Sequence, residues 1–431
     1  MDRRNFMQTS TGALAAITTL GITGILPTTV ANSLEHSSNS IKGLSADEAA
    51  LDNDFWAWVR QSYTVSPNVL NLNNGGVSPQ PLITQEAFDK YNRFANEAPS
   101  YYMWRIIDKG REALRDKMAI LAGCSSEEIA FNRNTTEGLN TIIFGLDLER
   151  GDEVILNKFD YPNMMNAWRQ REKRDGIVLK WIDMDFPMDD EDQIVNLYLD
   201  QFTSKTKVVH ITHVINWVGQ VVPTRRIADA AHARGIEVIV DGAHSFAQME
   251  YSIPDLGADY YATSLHKWLC APFGTGLMWI KKEKIKNIWA LLSAAEPDGD
   301  DIRKFENLGT RHMGAEMAIG YSLDFHNIIG TDRKRARLLY LRNYWMQKAM
   351  QIPGVGFYNS FDPKFSCALA NFYIEGKSAT DIDQALWKNY KIHTVSIKHE
   401  QINGVRVTPN IYTNTADLDR LVTAIEEIAK S

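Results

Sequence analysis

The feature that most limits how this chain can fold is a regular alternation of strand-like and helix-like segments between about residues 125 and 285. The runs EIAFNRN, DEVILNK, KVVHITHV, EVIVDGAH and DYYATSLH are short and rich in β-branched or aromatic residues. Helical stretches separate them. After Thr135 and Thr136, the residues Leu139, Ile142, Ile143 and Leu146 recur at helical spacing. The segment PTRRIADAAHARG opens on Pro223 and stops at Gly235, with Ile227, Ala230 and Ala231 expected on its inward side. Such alternation predicts βαβ units, hence an α/β fold whose mostly parallel sheet is covered by helices. The stretch from about 310 to 350 reads as helical, and roughly the last 80 residues mix strands with helices, which predicts a smaller α+β domain.

Composition sets the limits around this core. With 431 residues and 44% hydrophobic composition the chain can bury a large core and two substructures. Its net charge of −7 is spread along the chain, with no basic block for a nucleic-acid groove or an anionic membrane. The start, MDRRNFMQTSTGALAAITTLGITGILPTTVANS, places Arg3 and Arg4 before an apolar run broken by Thr and Gly, too short and polar for a membrane span. It reads as a twin-arginine signal over residues 1–31, ending in the small-residue site Thr29-Val30-Ala31, with a disordered basic tail or a Sec signal as alternatives. That reading makes the Tat translocase a partner and the protein periplasmic or otherwise exported. Residues 32–46 are polar and Ser-rich, an expected flexible linker. A large domain over 47–305 and a connecting helix plus small domain over 306–431 complete the expected layout. Cys124, Cys270 and Cys367 are odd in number and far apart, arguing against a disulfide framework or a thiolate metal site.

In open α/β sheets, ligands bind beyond the carboxyl ends of the strands. Chemically loaded residues gather there. Asp241 ends EVIVD, His244 follows three residues later, Lys267 follows DYYATS, and Asn216 follows VVHITHV. Thr135 and Thr136 stand between a strand and a helix start. These are the parts pyridoxal phosphate requires: a lysine amine for its aldehyde, a carboxylate for its ring nitrogen, and hydroxyls with N–H groups at a helix N-terminus for its phosphate. Taken singly, Asp241 and the Thr pair also suit helix caps, His244 a structural role, Tyr161 a core position and Arg406 a surface charge. Their joint order favours the cofactor. His210 and His213 are read as sharing one strand face, with no third ligand at metal-like spacing. Tyr102 and Trp104 are candidates for a substrate mouth.

The runs VIVDGAHS, DYYATSLHKW and GTG, with NLNNGGVSPQP, RNTTEGLN and SLHKWLCAPFGTG, resemble the class V aminotransferase family of fold-type I pyridoxal phosphate enzymes, nearest its isopenicillin N epimerase-like branch. The likeness spans about Asn71 to the C-terminus. It implies a large domain with a mostly parallel, seven-stranded type of sheet and a small α+β domain. By position it makes Lys267 the Schiff-base lysine and Asp241 the partner of the ring nitrogen, with His244 and Asn216 near the phenolic oxygen. Tyr161 takes the place of the ring-stacking residue, and Thr135, Thr136, Ser264 and His266 hold the phosphate. Thr310 reaches the neighbouring subunit's phosphate, which implies a homodimer with shared sites. Arg406 clamps a substrate carboxylate, and Asn74 lies with it on the substrate side.

The cofactor alone leaves the reaction open. Cysteine desulfurases of this family carry a nucleophilic cysteine shortly before the C-terminal arginine, whereas YKIHTVSIKHEQINGVR has none, and Cys367 sits inside the apolar run FSCALANFYI. The reading is an exported, aminotransferase-like enzyme acting at the Cα and amino group of an amino-acid or peptide-like substrate, with an epimerase as runner-up. A lyase, a zinc hydrolase and an inactive binding protein rank lower.

Overall fold

The computed structural model describes residues 41–431. Its centre is a seven-stranded sheet of β1 (Ile129–Asn132), β2 (Glu153–Asn157), β3 (Val178–Ile182), β4 (Thr206–Thr212), β5 (Glu237–Asp241), β6 (Tyr260–Ser264) and β7 (Gly276–Ile280). The spatial order is β1-β7-β6-β5-β4-β2-β3, with β7 antiparallel to both neighbours and the other pairings parallel. This is the fold expected from the alternation. Both faces are buried, so the strands are nearly all apolar rather than alternating. Ile155, Val209, Val238, Val240 and Tyr261 pack on one side. Val154, Leu156, Val208, Ile239 and Tyr260 pack on the other, against Leu139, Ile142 and Trp168.

Four helices matter most for the site: α1 (Thr135–Gly145), α2 (Pro162–Asp175), α3 (Met313–Ile329) and α4 (Thr331–Ala349). Asn134 caps α1 through its side chain, and Pro162 opens α2. In the helix Thr224–His232 the buried face is Ile227, Ala228 and Ala231, so Ala228 replaces the expected Ala230. A second, antiparallel sheet follows in the order β10-β11-β9-β8, from β8 (Val355–Phe357), β9 (Ala370–Ile374), β10 (Val395–His399) and β11 (Ile402–Val407). Trp345 of α4 joins Phe372, Leu386, Val405 and Leu421 in its core.

The twin-arginine stretch lies outside the described residues. The supposed linker is anchored at its far end, because Ile41 is fully buried and Ser45 forms a capping box with Glu48. Polar composition hid that anchor. His210 and His213 also depart from expectation. An odd separation sends strand side chains to opposite faces. His210 accepts from Trp168 Nε1 (3.3 Å), while His213 lies beyond the strand end against Tyr251. Burial holds both imidazoles neutral, at about 3 and about 4.

Candidate active site

The carboxyl ends of β4, β5 and β6 converge on one edge of the sheet. Asp241 closes β5, and the following Gly242 admits no side chain, since a Cβ there would meet the Tyr261 hydroxyl at 2.0 Å. One Asp241 oxygen accepts from the Ala243 N–H (2.9 Å). Burial raises the Asp241 pKa and the Lys267 charge opposes that rise. Lys267 lies three residues past β6, and its Nζ is 3.1 Å from His244 Nε2. Burial pulls the Lys267 amine down to about 8, with Asp241 holding it up and Arg406 pushing it further down. Burial, Lys267 and Arg406 all keep the His244 imidazole neutral. With Lys267 donating to Nε2, the proton of His244 sits on Nδ1, which is buried and has no partner.

Arg406, on β11, is buried yet meets no carboxylate among the described residues. Its Nη1 donates to the Asn216 carbonyl (2.8 Å) and its Nη2 to Asn73 Oδ1 (3.0 Å), while Nε has no partner. Burial lowers it to about 10, eased by Tyr161 and Cys367. Tyr161, the residue before α2, is exposed beside it. Asn216 is buried with its Oδ1 unpartnered.

A second group forms at the start of α1. Ser264 Oγ accepts from the Thr135 N–H (2.9 Å) and lies 2.7 Å from Thr135 Oγ1. Thr136 is half-buried next to it. Gly276 lets β7 pass under this helix start, because a Cβ would stand 2.6 Å from the Asn134 backbone. His266 Nδ1 is 3.0 Å from the Thr275 carbonyl, and burial takes its pKa to about 4. An anion fits here, at the positive end of an eleven-residue helix with hydroxyls beside it.

The site therefore brings together Lys267, Asp241, His244, Asn216, Arg406 and Tyr161, with Thr135, Ser264 and the helix start nearby. Two expected members stand apart. Thr310 is exposed on the loop before α3, with no side-chain hydrogen bond among the described residues. Asn74 is fully buried and its amide is spent on Thr408 O (2.9 Å), Asn71 and Tyr412 OH (2.6 Å), so it has nothing left for a substrate. Asn73 is the residue that faces Arg406, and nothing in NLNNGG marks which asparagine turns inward. Tyr102 and Trp104 lie in a wide helical turn (Tyr102–Ile107), with Trp104 exposed.

Residues present and cofactor required agree. Buried, unpartnered atoms on His244 and Asn216, a carboxylate on the next strand, a partly neutral lysine and a helix start with paired hydroxyls suit pyridoxal phosphate. Comparison with known proteins points to the same cofactor class. The model of the family "Aminotransferase class-V" matches residues 73–421. The isopenicillin N epimerase of Streptomyces clavuligerus is 25% identical over 86% of this chain and 98% of its own. A probable cysteine desulfurase of Halalkalibacterium halodurans is 27% identical over 73% of this chain and 80% of its own. Among solved structures, the apo cysteine desulfurase of Thermococcus onnurineus NA1 superposes with a TM-score of 0.77 at 23% identity, covering 86% of this chain and 97% of that one. A C-DES variant with glycine covalently linked to its PLP cofactor gives 0.75 at 20% identity, over 85% and 99%.

Proposed function

We propose, from the premise that this chain belongs to the class V aminotransferase family and uses pyridoxal 5′-phosphate, that it transfers the amino group of an amino-acid or peptide-like carboxylate. The observation that carries this reading is Arg406, a buried guanidinium with only neutral partners, electrostatically coupled to Lys267. A buried cation without a counter-ion is costly, so the site favours a ligand that brings a carboxylate. When bound, the cofactor supplies an electron sink for the pair released at Cα.

The protein's own part is positional and acid–base. Lys267 would hold the cofactor aldehyde, Asp241 the ring nitrogen, and His244 with Asn216 the phenolic edge. Thr135, Thr136, Ser264 and His266 would hold the phosphate. Once free, the Lys267 amine is neutral in useful amounts near pH 8 and can take a proton from Cα at Nζ. Arg406 then fixes which Cα bond faces that amine. Tyr161 faces the same cleft beside Arg406.

Epimerisation is the second reading, supported by the relatives named isopenicillin N epimerase. It needs a proton donor on the other face of Cα, for which Tyr161 is the available hydroxyl. Desulfuration has less support, because no cysteine lies between Ile392 and Arg406 and Cys367 is buried against Gly219. Thr310, exposed on the loop before α3, is open to a dimer in which it reaches the partner's phosphate. Export by the twin-arginine route rests on Arg3, Arg4 and the following run alone.

The deciding experiment is a panel of amino acids and peptides in deuterated solvent. Amino transfer yields a 2-oxo acid and the amine form of the cofactor. Epimerisation yields the inverted amino acid carrying deuterium at Cα. Purified protein should show a visible cofactor band that Lys267→Ala removes, and a wild type unable to take up the cofactor would sink the proposal.

A further inference from the structure

Three residues past Lys267 the backbone turns a corner that side-chain-bearing residues avoid, with Cys270 at φ 57°. Such a conformation persists where its surroundings over-determine it. Three elements do so here. Ser322 of α3 donates to the Cys270 carbonyl (3.3 Å), and Lys334 of α4 donates to the Trp268 carbonyl. Asn410, four residues past Arg406, sends its amide N–H groups to Ser78 Oγ (2.9 Å) and toward Cys270 Sγ (3.7 Å). Ser78 closes the loop, since its N–H donates to the His266 carbonyl (3.0 Å) and its hydroxyl to the Asn74 carbonyl (3.1 Å). Asn410 and Ser78 are both fully buried.

We propose that Asn410 is a positioning residue: with Ser78 it locks the corner that follows Lys267 to the segment that follows Arg406. The amine and the guanidinium belong to different sheets and stand more than a hundred positions apart in the sequence, and this bridge fixes their relation. The inference rests on Lys267 being the cofactor lysine. The titratable groups acting on or influenced by Lys267 are Asp241, His244, His266 and Arg406, and Asn410 bonds to none of them. Exchanging Asn410 therefore removes no partner of those four groups, the Cys270 thiol being the one ionisable group it touches, and acts on the amine through where the corner sits. A relaxed corner admits water to Nζ and favours its protonated form.

The test titrates the visible band of the holoenzyme with pH. Asn410→Ala should raise the midpoint by about half a pH unit or more, roughly threefold in the ionisation constant. Ser78→Ala removes the other leg and should move it the same way, which keeps the test alive if Asn410→Ala does not fold. Gln401→Ala is the control, because Gln401 also crosses between the two sheets, to the Met184 carbonyl, without touching the corner. Its midpoint should stay at the wild-type value. A folded Asn410→Ala or Ser78→Ala that melts at lower temperature but titrates like wild type overturns the proposal. A wild type with no visible band removes the role of Lys267 itself, and the inference with it.

Discussion

Adjacent asparagines in NLNNGG have opposite fates. Asn73 Oδ1 accepts from Arg406, whereas Asn74 ties its own loop to Thr408 and Tyr412 from complete burial. Asn73→Ala should raise KM for a carboxylate substrate about tenfold, the loss of about one charge-assisted hydrogen bond, with the melting temperature kept. Asn74→Ala should cost about 2–3 kcal/mol in urea unfolding, because it strands buried partners. Equal effects of the two changes on KM would contradict this division. Strand ends made Lys267, Asp241, His244 and Asn216 legible in the sequence, since position along a strand fixes which edge a residue reaches. A turn offers no such rule, and side-chain direction within it is set by distant partners, here residues 408 and 412.

Among elements, β1 bears on the start of α1. The Glu306 carboxylate is buried and accepts from Arg115 (2.7 and 2.9 Å), Arg111 (2.7 Å) and the Phe131 N–H of β1 (2.7 Å). Arg111 also pairs with Glu316 of α3. Two residues beyond β1 stands Asn134, the cap of α1, so this ionic cluster sets where the helix start points. Glu306→Gln should destabilise the protein by about 1–3 kcal/mol, since it removes the buried charge that Arg111 and Arg115 share and leaves them with Glu316 and Glu112. Cofactor affinity, measured by equilibrium dialysis, should fall with it. A loss of stability without a loss of affinity would separate β1 from the site. None of this was readable from sequence. Arg111, Arg115 and Glu306 look like ordinary surface charges until tertiary packing encloses them.

For the whole molecule, alternation between residues 125 and 285 was enough to foresee the central sheet, because crossover rules leave few topologies for such a pattern. It was silent on how the N-terminal segment attaches. Ile41, Phe55, Trp56 and Val59 belong to the same apolar cluster as Trp268, Leu338 and Tyr412, so the start of the described chain packs behind the lysine corner. Ile41→Ala should lower stability by about 2–4 kcal/mol, read from thermal or urea unfolding. An unchanged protein would mean that this segment does not hold its place.

The short parallel pairing of Leu70–Asn71 with Ile392–His393 carries a consequence for synthesis. A ribosome releases the loop bearing Asn73 more than three hundred residues before it releases Arg406, and the two meet across 333 positions of sequence. The central sheet can form on the emerging chain, with Lys267 at its edge, while the carboxylate clamp and the Asn410 bridge still do not exist. An unfinished or C-terminally clipped polypeptide would thus hold the central sheet and yet have no grip on a substrate.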